Sequence, residues 1–119
     1  PSITAGEDTP VHALLRSASR PTAIVVSDDI LALTLERICT ETGLSIPADL
    51  SILSFNNSLF ARLTSPQLTS IDINSCQLGM EAAAQMISHI ENPGLPATKI
   101  LVPHQLIERD SCARPASHE

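Results

Sequence analysis

The sequence predicts an α/β fold with a parallel, doubly wound sheet. Two observations carry this prediction: short apolar runs alternate with amphipathic stretches of helical spacing, and most of the runs are nearly continuous in apolar residues. Buried parallel strands have this continuous apolar character, and the helices between them make right-handed crossovers. The chain of 119 residues has the length of one domain.

Capping and turn residues set the order of the elements. Asp8, Thr9 and Pro10 predict a helix start, because a capping side chain followed by proline is typical of one. Asp28 is placed to cap the next helix, and Gly43 supplies the left-handed position at its end. The predicted helices are about 10–20, 29–42 and 75–91, with a short helical turn at 58–63. The predicted strands are 22–27, 50–55, 68–73, 99–102 and 105–108.

Composition argues against several classes of function. Seven Lys and Arg stand against thirteen Asp and Glu, and the net charge of −6 argues against gripping phosphate backbones. No apolar run approaches the ~20 residues that span a bilayer. Cys39, Cys76 and Cys112 form no CxxC pair, and the four histidines show no ligand spacing. We therefore expect a reducing cytoplasm, no metal site and no cofactor.

Polar pairs follow two of the predicted strands. Asp28 and Asp29 end the first strand, and Asn56 and Asn57 end the second. In open α/β sheets ligands bind at the carboxyl ends of the strands, so these four side chains are expected on one rim. With no Lys or Arg beside them, they suit a neutral polyhydroxy ligand such as a sugar. The strands alone leave a second interpretation open, in which the aspartates cap a helix and the asparagines form a turn.

The sequence shows no catalytic motif. It contains no Gly-x-Ser-x-Gly elbow, no Gly-rich phosphate loop and no HExxH. Asp28 and Asp29 form an acidic pair of the kind that binds magnesium in response-regulator receivers, and a metal-dependent enzyme or receiver is one alternative. That chemistry needs a phospho-accepting Asp on the neighbouring strand, which here ends in Asn56 and Asn57. We therefore predict that the chain is not an enzyme.

The helix at 29–42 is apolar over more than one face. Its core stripe is Leu31, Leu35, Ile38 and Cys39, and Ile30 and Leu33 fall partly outside it. A helix that is buried only against its own sheet does not need this surplus. A second partner surface and a wider burial inside the domain are the two interpretations.

Four segments occur in an order and spacing typical of one family. They are AIVVSDDILAL at 23–33, GLSIPADLSILSFNN at 43–57, SPQLTSI at 65–71 and LVPHQLIERDS at 101–111. Together they resemble the motifs of the lactose-repressor (LacI/GalR) family over residues 10–112. The segments 27–29 and 56–58 resemble the maltose-type repressors within that family.

The resemblance implies a type I periplasmic-binding-protein-like fold, of which this chain would be a C-terminal part. Residues 8–71 and 103–112 would belong to the C-terminal lobe, 72–102 to the other lobe, and 113–119 to a tail. The family's members are dimeric cytoplasmic transcription regulators that bind an effector between two lobes. They bind DNA through an N-terminal headpiece, which these residues do not contain. A secreted sugar-binding protein of the same fold is another alternative.

The resemblance also implies roles for individual residues. Asp28 stands where the family places an effector-contacting Asn, and Asn56 stands where it usually places an Asp, so carboxylate and amide have exchanged strands. Ile73 and Ser75 occupy the hinge crossing, where some members have a polar and an aromatic ligand contact. The positions at which the family dimerises are Ile30, Leu33, Phe60, Leu63 and Thr64.

The function predicted from the sequence is effector binding and dimerisation in a sugar-responsive transcriptional repressor. The expected partners are a mono- or disaccharide and a second copy of the chain, with no membrane. The helix at 75–91 should pack against the other lobe, so we expect it to be loosely held here or covered by a partner.

Overall fold

The computed structural model describes residues 10–116, and the account of the structure concerns those residues. The predicted capping residues Asp8 and Thr9, and residues 117–119 of the predicted tail, lie outside them. The helices are α1 (Pro10–Arg16), α2 (Asp29–Thr42), α3 (Leu59–Leu63) and α4 (Ser75–Glu91). The strands are β1 (Ala23–Val25), β2 (Ser51–Phe55), β3 (Thr69–Asp72) and β4 (Gln105–Ile107). The predicted α/β class is confirmed.

The four strands form one sheet in the order β1-β2-β3-β4. The first three strands are parallel, with Val25 opposite Leu53 and Leu53 opposite Thr69. The last strand, β4, runs antiparallel to β3, which a purely parallel prediction did not anticipate. The chain leaves the sheet after β3, passes through α4 and returns along the free edge in the opposite direction. Antiparallel edge strands are common on otherwise parallel sheets.

The core lies between α2 and the sheet. Leu35, Ile38 and Cys39 are almost completely buried on the inner face of α2, as their spacing predicted, and α2 also contacts α1 and α3. Each fully buried Leu or Ile contributes about 1.5–3 kcal/mol of transfer free energy. The buried apolar residues are Val11, Leu15, Val26, Ala32, Leu35, Ile38, Cys39, Leu50, Ile52, Ala61 and Leu68.

The ends of α2 are fixed by the two residues that the sequence indicated. Asp28 is the N-cap, and its Oδ1 accepts a hydrogen bond of 2.8 Å from the Leu31 amide. Gly43 adopts a left-handed conformation with φ of 75°, and its amide donates to the Thr40 carbonyl. The Leu44 amide donates to the Cys39 carbonyl at 2.8 Å, which completes the usual C-terminal cap.

The two largest differences from the predicted elements concern the first helix and the segment 99–102. The first helix ends at Arg16. The Ser17 hydroxyl donates a hydrogen bond of 2.8 Å to the Leu14 carbonyl, and this bond competes with the backbone hydrogen bonds that would continue the helix. The segment 99–102 was predicted to be a strand, but it pairs with no strand in the described part of the chain. A strand needs a neighbour for its backbone groups, and these residues lie beside α4 instead of a sheet edge.

No residue of α4 is buried. Its apolar side chains include Met86, Ile87 and Ile90, which are 64, 55 and 70% exposed. The helix was predicted to be loosely held or covered by a partner. The segment 98–102 lies beside it but leaves these three side chains exposed, and how firmly the helix is held stays a prediction. None of the helices among residues 10–116 combines the length and apolar content that a membrane crossing requires.

Candidate functional site

The carboxyl ends of β1 and β2 lie side by side. Val25 pairs with Leu53 in the parallel register, and Asp28 and Asn56 each stand three residues further along their strands. Because β1 pairs with β2, Asp28 and Asn56 follow the carboxyl ends of neighbouring strands. That their side chains face one crevice stays a prediction.

Asp28 has one carboxylate oxygen engaged and one nearly open. Its Oδ1 caps α2, whereas its Oδ2 accepts only a long hydrogen bond of 3.3 Å from the neighbouring Ser27 hydroxyl. The residue is half-buried. Because a carboxylate oxygen accepts more than one hydrogen bond, capping leaves Asp28 free to accept from a hydroxyl group of a ligand.

Asn56 carries the most open polar side chain of the rim. It is exposed, and its amide side chain has no hydrogen-bond partner among residues 10–116. Its backbone is held, because the Asn56 amide donates to the Ile71 carbonyl at 2.9 Å. Its φ of 95° is in the left-handed region that non-glycine residues rarely adopt. A fixed backbone with an unpaired amide is an arrangement that suits ligand recognition.

Asp29 does not lie on the open rim, which corrects the sequence prediction. Only 1% of the residue is exposed, and its carboxylate accepts hydrogen bonds from three donors. The Ser54 and Ser70 hydroxyls donate to Oδ1 at 2.5 and 2.9 Å, and the Ser58 amide donates to Oδ2 at 2.7 Å. Asp29 therefore joins the start of α2 to β2, to β3 and to the turn before α3.

The hydrogen bonds to Asp29 decide its ionisation. Burial by itself raises the pKa of Asp29, but the hydrogen bonds from Ser54, Ser58 and Ser70 outweigh it, so the pKa lies below its ordinary value. The carboxylate is consequently charged at neutral pH and acts as a buried acceptor. A solvent cation has no access to it, which weakens the alternative of a magnesium site on Asp28 and Asp29. No group of three or more His, Cys, Asp or Glu within the described ranges is arranged to hold a metal.

Asn57 also differs from its predicted place. Its side chain is not open to a ligand, because Nδ2 donates to Asp72 Oδ2 at 2.9 Å and Oδ1 accepts from Arg109 Nη2 at 2.5 Å. Its backbone amide donates to the Ser70 hydroxyl at 3.0 Å. Each polar pair is thus divided: Asp28 and Asn56 remain open, whereas Asp29 and Asn57 are bonded inside the protein.

The crossover after β3 carries the other two predicted ligand contacts. Ile73 is half-buried, Ser75 is exposed at the start of α4, and neither makes a side-chain hydrogen bond among residues 10–116. A cavity of about 460 Å³ lies at the same crossover. None of the four predicted ligand residues lines it; its lining residues are Asp72, Asn74, Pro103, His104 and Gln105.

Three of the five predicted dimer residues have exposed apolar side chains. Ile30, Phe60 and Leu63 are 60, 45 and 69% exposed, and Leu33 is half-buried. Thr64 has a buried hydroxyl oxygen without a hydrogen-bond partner in the described part of the chain. Because α2 and α3 contact each other, these residues come from neighbouring elements. Because Ile30 is mostly exposed, burial inside the domain does not explain why this position is apolar.

Sequence reasoning missed the side chains that hydrogen-bond to Asp29 and Asn57. They include Ser54, Ser70, Asp72 and Arg109, none of which was singled out. The available signal was the presence of small hydroxyl residues inside strands that were otherwise apolar, because a buried hydroxyl requires a partner. Ser54 and Ser70 are both 0% exposed, and both donate to Asp29.

The fold and the rim together define a class of protein. A mostly parallel sheet with open acceptor and amide groups at its strand ends is typical of ligand-binding α/β domains. The sequence profile described as "Periplasmic binding protein-like domain" matches residues 2–112. The chain belongs to this family.

Named relatives agree with the resemblance to the lactose-repressor family. The HTH-type transcriptional repressor PurR of Pectobacterium carotovorum is 35% identical over 103 residues, which cover 87% of this chain and 30% of that protein. The NTD biosynthesis operon regulator NtdR of Bacillus subtilis is 32% identical over 101 residues, with 84 and 31% covered. Both are regulators, and neither is named as an enzyme. The chain thus spans about a third of the length of these relatives.

Solved structures show the same similarity. A LacI transcriptional regulator from Bacillus cereus superposes with a TM-score of 0.82 at 38% identity, covering 87% of this chain and 36% of that one. A LacI family regulator from Enterococcus faecium with bound ribose gives a TM-score of 0.75 at 31% identity, with 87 and 38% covered. Another, from Enterococcus faecalis with bound ribose, gives 0.77 at 35%, again with 87 and 38% covered. The lactose-repressor resemblance is confirmed.

Proposed function

We propose that this chain binds a small-molecule effector and dimerises as part of a LacI/GalR-type transcriptional repressor. The observation that carries the proposal is the open pair on the rim, in which Asp28 retains a nearly free carboxylate oxygen and Asn56 an unpaired amide. Such a pair accepts from and donates to hydroxyl groups, and leaving it unpaired in a closed cleft costs about 1–3 kcal/mol per group.

The proposed effector is a mono- or disaccharide. A neutral polyhydroxy ligand matches a rim with one acceptor and one amide. The ribose-bound relatives from Enterococcus support the same class of ligand. We place the regulator in the cytoplasm, where its DNA lies, and assign it no catalytic activity. DNA binding is assigned to a headpiece outside these residues.

Burial and strand pairing support the proposed division into lobes. Among residues 10–116 every buried residue lies in 11–70 or is Ser111, and residues 105–107 pair with β3. We therefore assign 8–71 and 103–112 to the C-terminal lobe and 72–102 to the other lobe. Effector binding would close the lobes and favour one of two arrangements of the repressor, so the effector must bind the two arrangements with different affinities.

Sugar binding is tested by Asn56→Gly in the full-length product of the gene. Glycine removes the amide and tolerates the positive φ, so the variant should fold as well as the wild type. Thermal shift and calorimetry with ribose, glucose, maltose and cellobiose should show one sugar that binds the wild type, with at least about tenfold weaker binding by the variant. Asn92→Gly, at the exposed end of α4, is the matched control. Equal affinity in wild type and Asn56→Gly would refute the assignment of Asn56.

Dimerisation is tested by Leu63→Asp. The side chain is 69% exposed, so a charge there should leave folding intact and place a desolvated carboxylate in the proposed interface. Sedimentation velocity should show a dimer for the wild type and a monomer for the variant. Ala13→Asp, at an exposed position of α1 outside the proposed surface, should remain dimeric. A dimeric Leu63→Asp would show that the interface lies elsewhere.

A further inference from the structure

The side chain of Asn57 connects three parts of the chain. It lies just after β2, donates to the carboxylate of Asp72 at the end of β3, and accepts from the guanidinium of Arg109 just after β4. Both partners are ionised groups, and hydrogen bonds to charged groups are stronger than those between neutral groups. We call these three residues the Asn57 bridge.

Both ends of the Asn57 bridge are themselves anchored. Arg109 Nη1 donates to the Leu68 carbonyl at 2.7 Å, and the Arg109 amide donates to the Thr69 hydroxyl at 3.0 Å. Asp72 Oδ1 accepts from the Asn74 amide at 2.8 Å. The chain leaves the sheet at Asp72 and returns to it through β4, so the bridge connects the outgoing and returning connections of residues 72–104.

The backbone next to the bridge is strained. Asn56 and Asn57 have φ values of 95° and 46°, two consecutive non-glycine residues in the left-handed region. Such conformations persist only where the surrounding bonds determine them. The bonds available here are those of the Asn57 side chain, the donation of its amide to the Ser70 hydroxyl, and the donation of the Asn56 amide to the Ile71 carbonyl. The open amide of Asn56 precedes this point by one residue.

We infer that the Asn57 bridge is a positioning device, which holds Asn56 in its left-handed conformation and ties it to both connections of residues 72–104. Asn57 itself touches no ligand in this inference. The consequence for affinity rests on the proposed function, because it assumes that Asn56 contacts the effector. A movement of the chain after Asp72 would then be transmitted to Asn56 through one hydrogen bond, the one from Asn57 to Asp72.

An exchange of the two bridge residues tests the inference. Asn57→Asp keeps an acceptor for Arg109 but places a second carboxylate against Asp72 and removes the donor. Asn57→Asp combined with Asp72→Asn restores a donor–acceptor pair in the opposite direction and returns the net charge to that of the wild type. Asn57→Ala removes the bridge without repulsion. All variants are made in the full-length product of the gene.

Hydrogen exchange followed by mass spectrometry reads out the rim without a ligand. In peptides covering 56–58, Asn57→Asp and Asn57→Ala should exchange at least about tenfold faster than the wild type, because Asn57→Asp loses one hydrogen bond to a charged group and Asn57→Ala loses two. The double variant should return close to the wild-type rate. A peptide covering 36–44 contains the C-terminal cap of α2, far from the bridge, and should not change.

Ribose and maltose titrations provide the second readout. For a sugar that binds the wild type, affinity should fall in Asn57→Asp and recover in the double variant. Any of three results would overturn the inference. They are exchange at 56–58 in Asn57→Asp at the wild-type rate, no recovery of that rate in the double variant, and a sugar affinity that is the same in all variants. If the wild type binds no sugar, the proposed effector class fails, and exchange at 56–58 alone decides whether the bridge holds Asn56.

Discussion

Replacement of Asp29 should be among the most damaging single changes in this domain. Asp29→Ala removes the acceptor of three buried donors at once: the Ser54 hydroxyl, the Ser70 hydroxyl and the Ser58 amide. The hydroxyls can rotate towards other acceptors, and Ser54 already lies 3.5 Å from the Thr69 carbonyl. The Ser58 amide cannot rotate. We expect a loss of about 3–5 kcal/mol, because three hydrogen bonds to a charged acceptor, each worth about 1.5–3 kcal/mol, are lost and only the hydroxyls can find other acceptors.

Asp29→Asn removes the charge of Asp29 but nearly keeps its shape, so it measures the contribution of the charge. Asparagine keeps one oxygen for the Ser58 amide and can donate its amide to the serine hydroxyls, so we expect a loss of about 1–2 kcal/mol. Asp110→Ala removes an exposed carboxylate and should change stability by less than about 0.5 kcal/mol. Urea unfolding followed by circular dichroism, with equal slopes for all variants, measures the three differences.

The pH dependence gives a separate check on Asp29. Because the folded-state pKa lies below the ordinary value of 3.8, its stabilisation is present above about pH 4 and is lost as the pH falls through the folded-state pKa. The difference between wild type and Asp29→Asn should therefore shrink in acid. Asp29→Ala as stable as Asp110→Ala at pH 7 would refute the argument that these hydrogen bonds hold the rim.

Three further predictions follow from single residues. Burial and the Glu36 charge raise the pKa of the Cys39 thiol to about 11, so a thiol reagent should label Cys76 and Cys112 in the native protein and all three cysteines in urea. Burial raises the pKa of Glu36 to about 7, so its contribution to stability is full below about pH 4.5 and is lost as the pH rises through 7. Urea unfolding of Glu36→Gln at a series of pH values should show a smaller decline in stability than the wild type. Gly43→Ala should cost about 1 kcal/mol or more in urea unfolding, because φ is 75° there; no loss would contradict the left-handed cap.

The sequence predicted the elements that depend on local signals. The cap at Asp28, the end of α2 at Gly43 and the strand before Asn56 are each decided by residues within a few positions of one another, and the structure confirms them. The segment 99–102 has the composition of a strand, but strand formation depends on a neighbour. Its pairing could not be read from its own residues.

The long-range polar contacts escaped prediction for a related reason. The bond from Arg109 to Asn57 joins residues 52 positions apart, and the bond from Ser70 to Asp29 joins residues 41 apart. Nothing local distinguishes Arg109 from an ordinary surface arginine. The assignment of Asp29 and Asn57 to the open rim was wrong. It assumed that residues adjacent to Asp28 and Asn56 in the sequence would be equally open to a ligand.

The division within each polar pair follows from the backbone beyond the strand ends. Asp28 is the extended N-cap and Asp29 the first residue of α2, whereas Asn56 and Asn57 are both left-handed, so the two members of each pair have different surroundings. Asp29 and Asn57 therefore brace the backbone from inside, and Asp28 and Asn56 are presented by that braced backbone. Binding groups held in this way lose little freedom when a ligand arrives, which lowers the entropic cost of association. The doubled residues Asp-Asp and Asn-Asn each combine one supporting side chain with one open side chain, and loosening the supporting member should weaken binding at its neighbour.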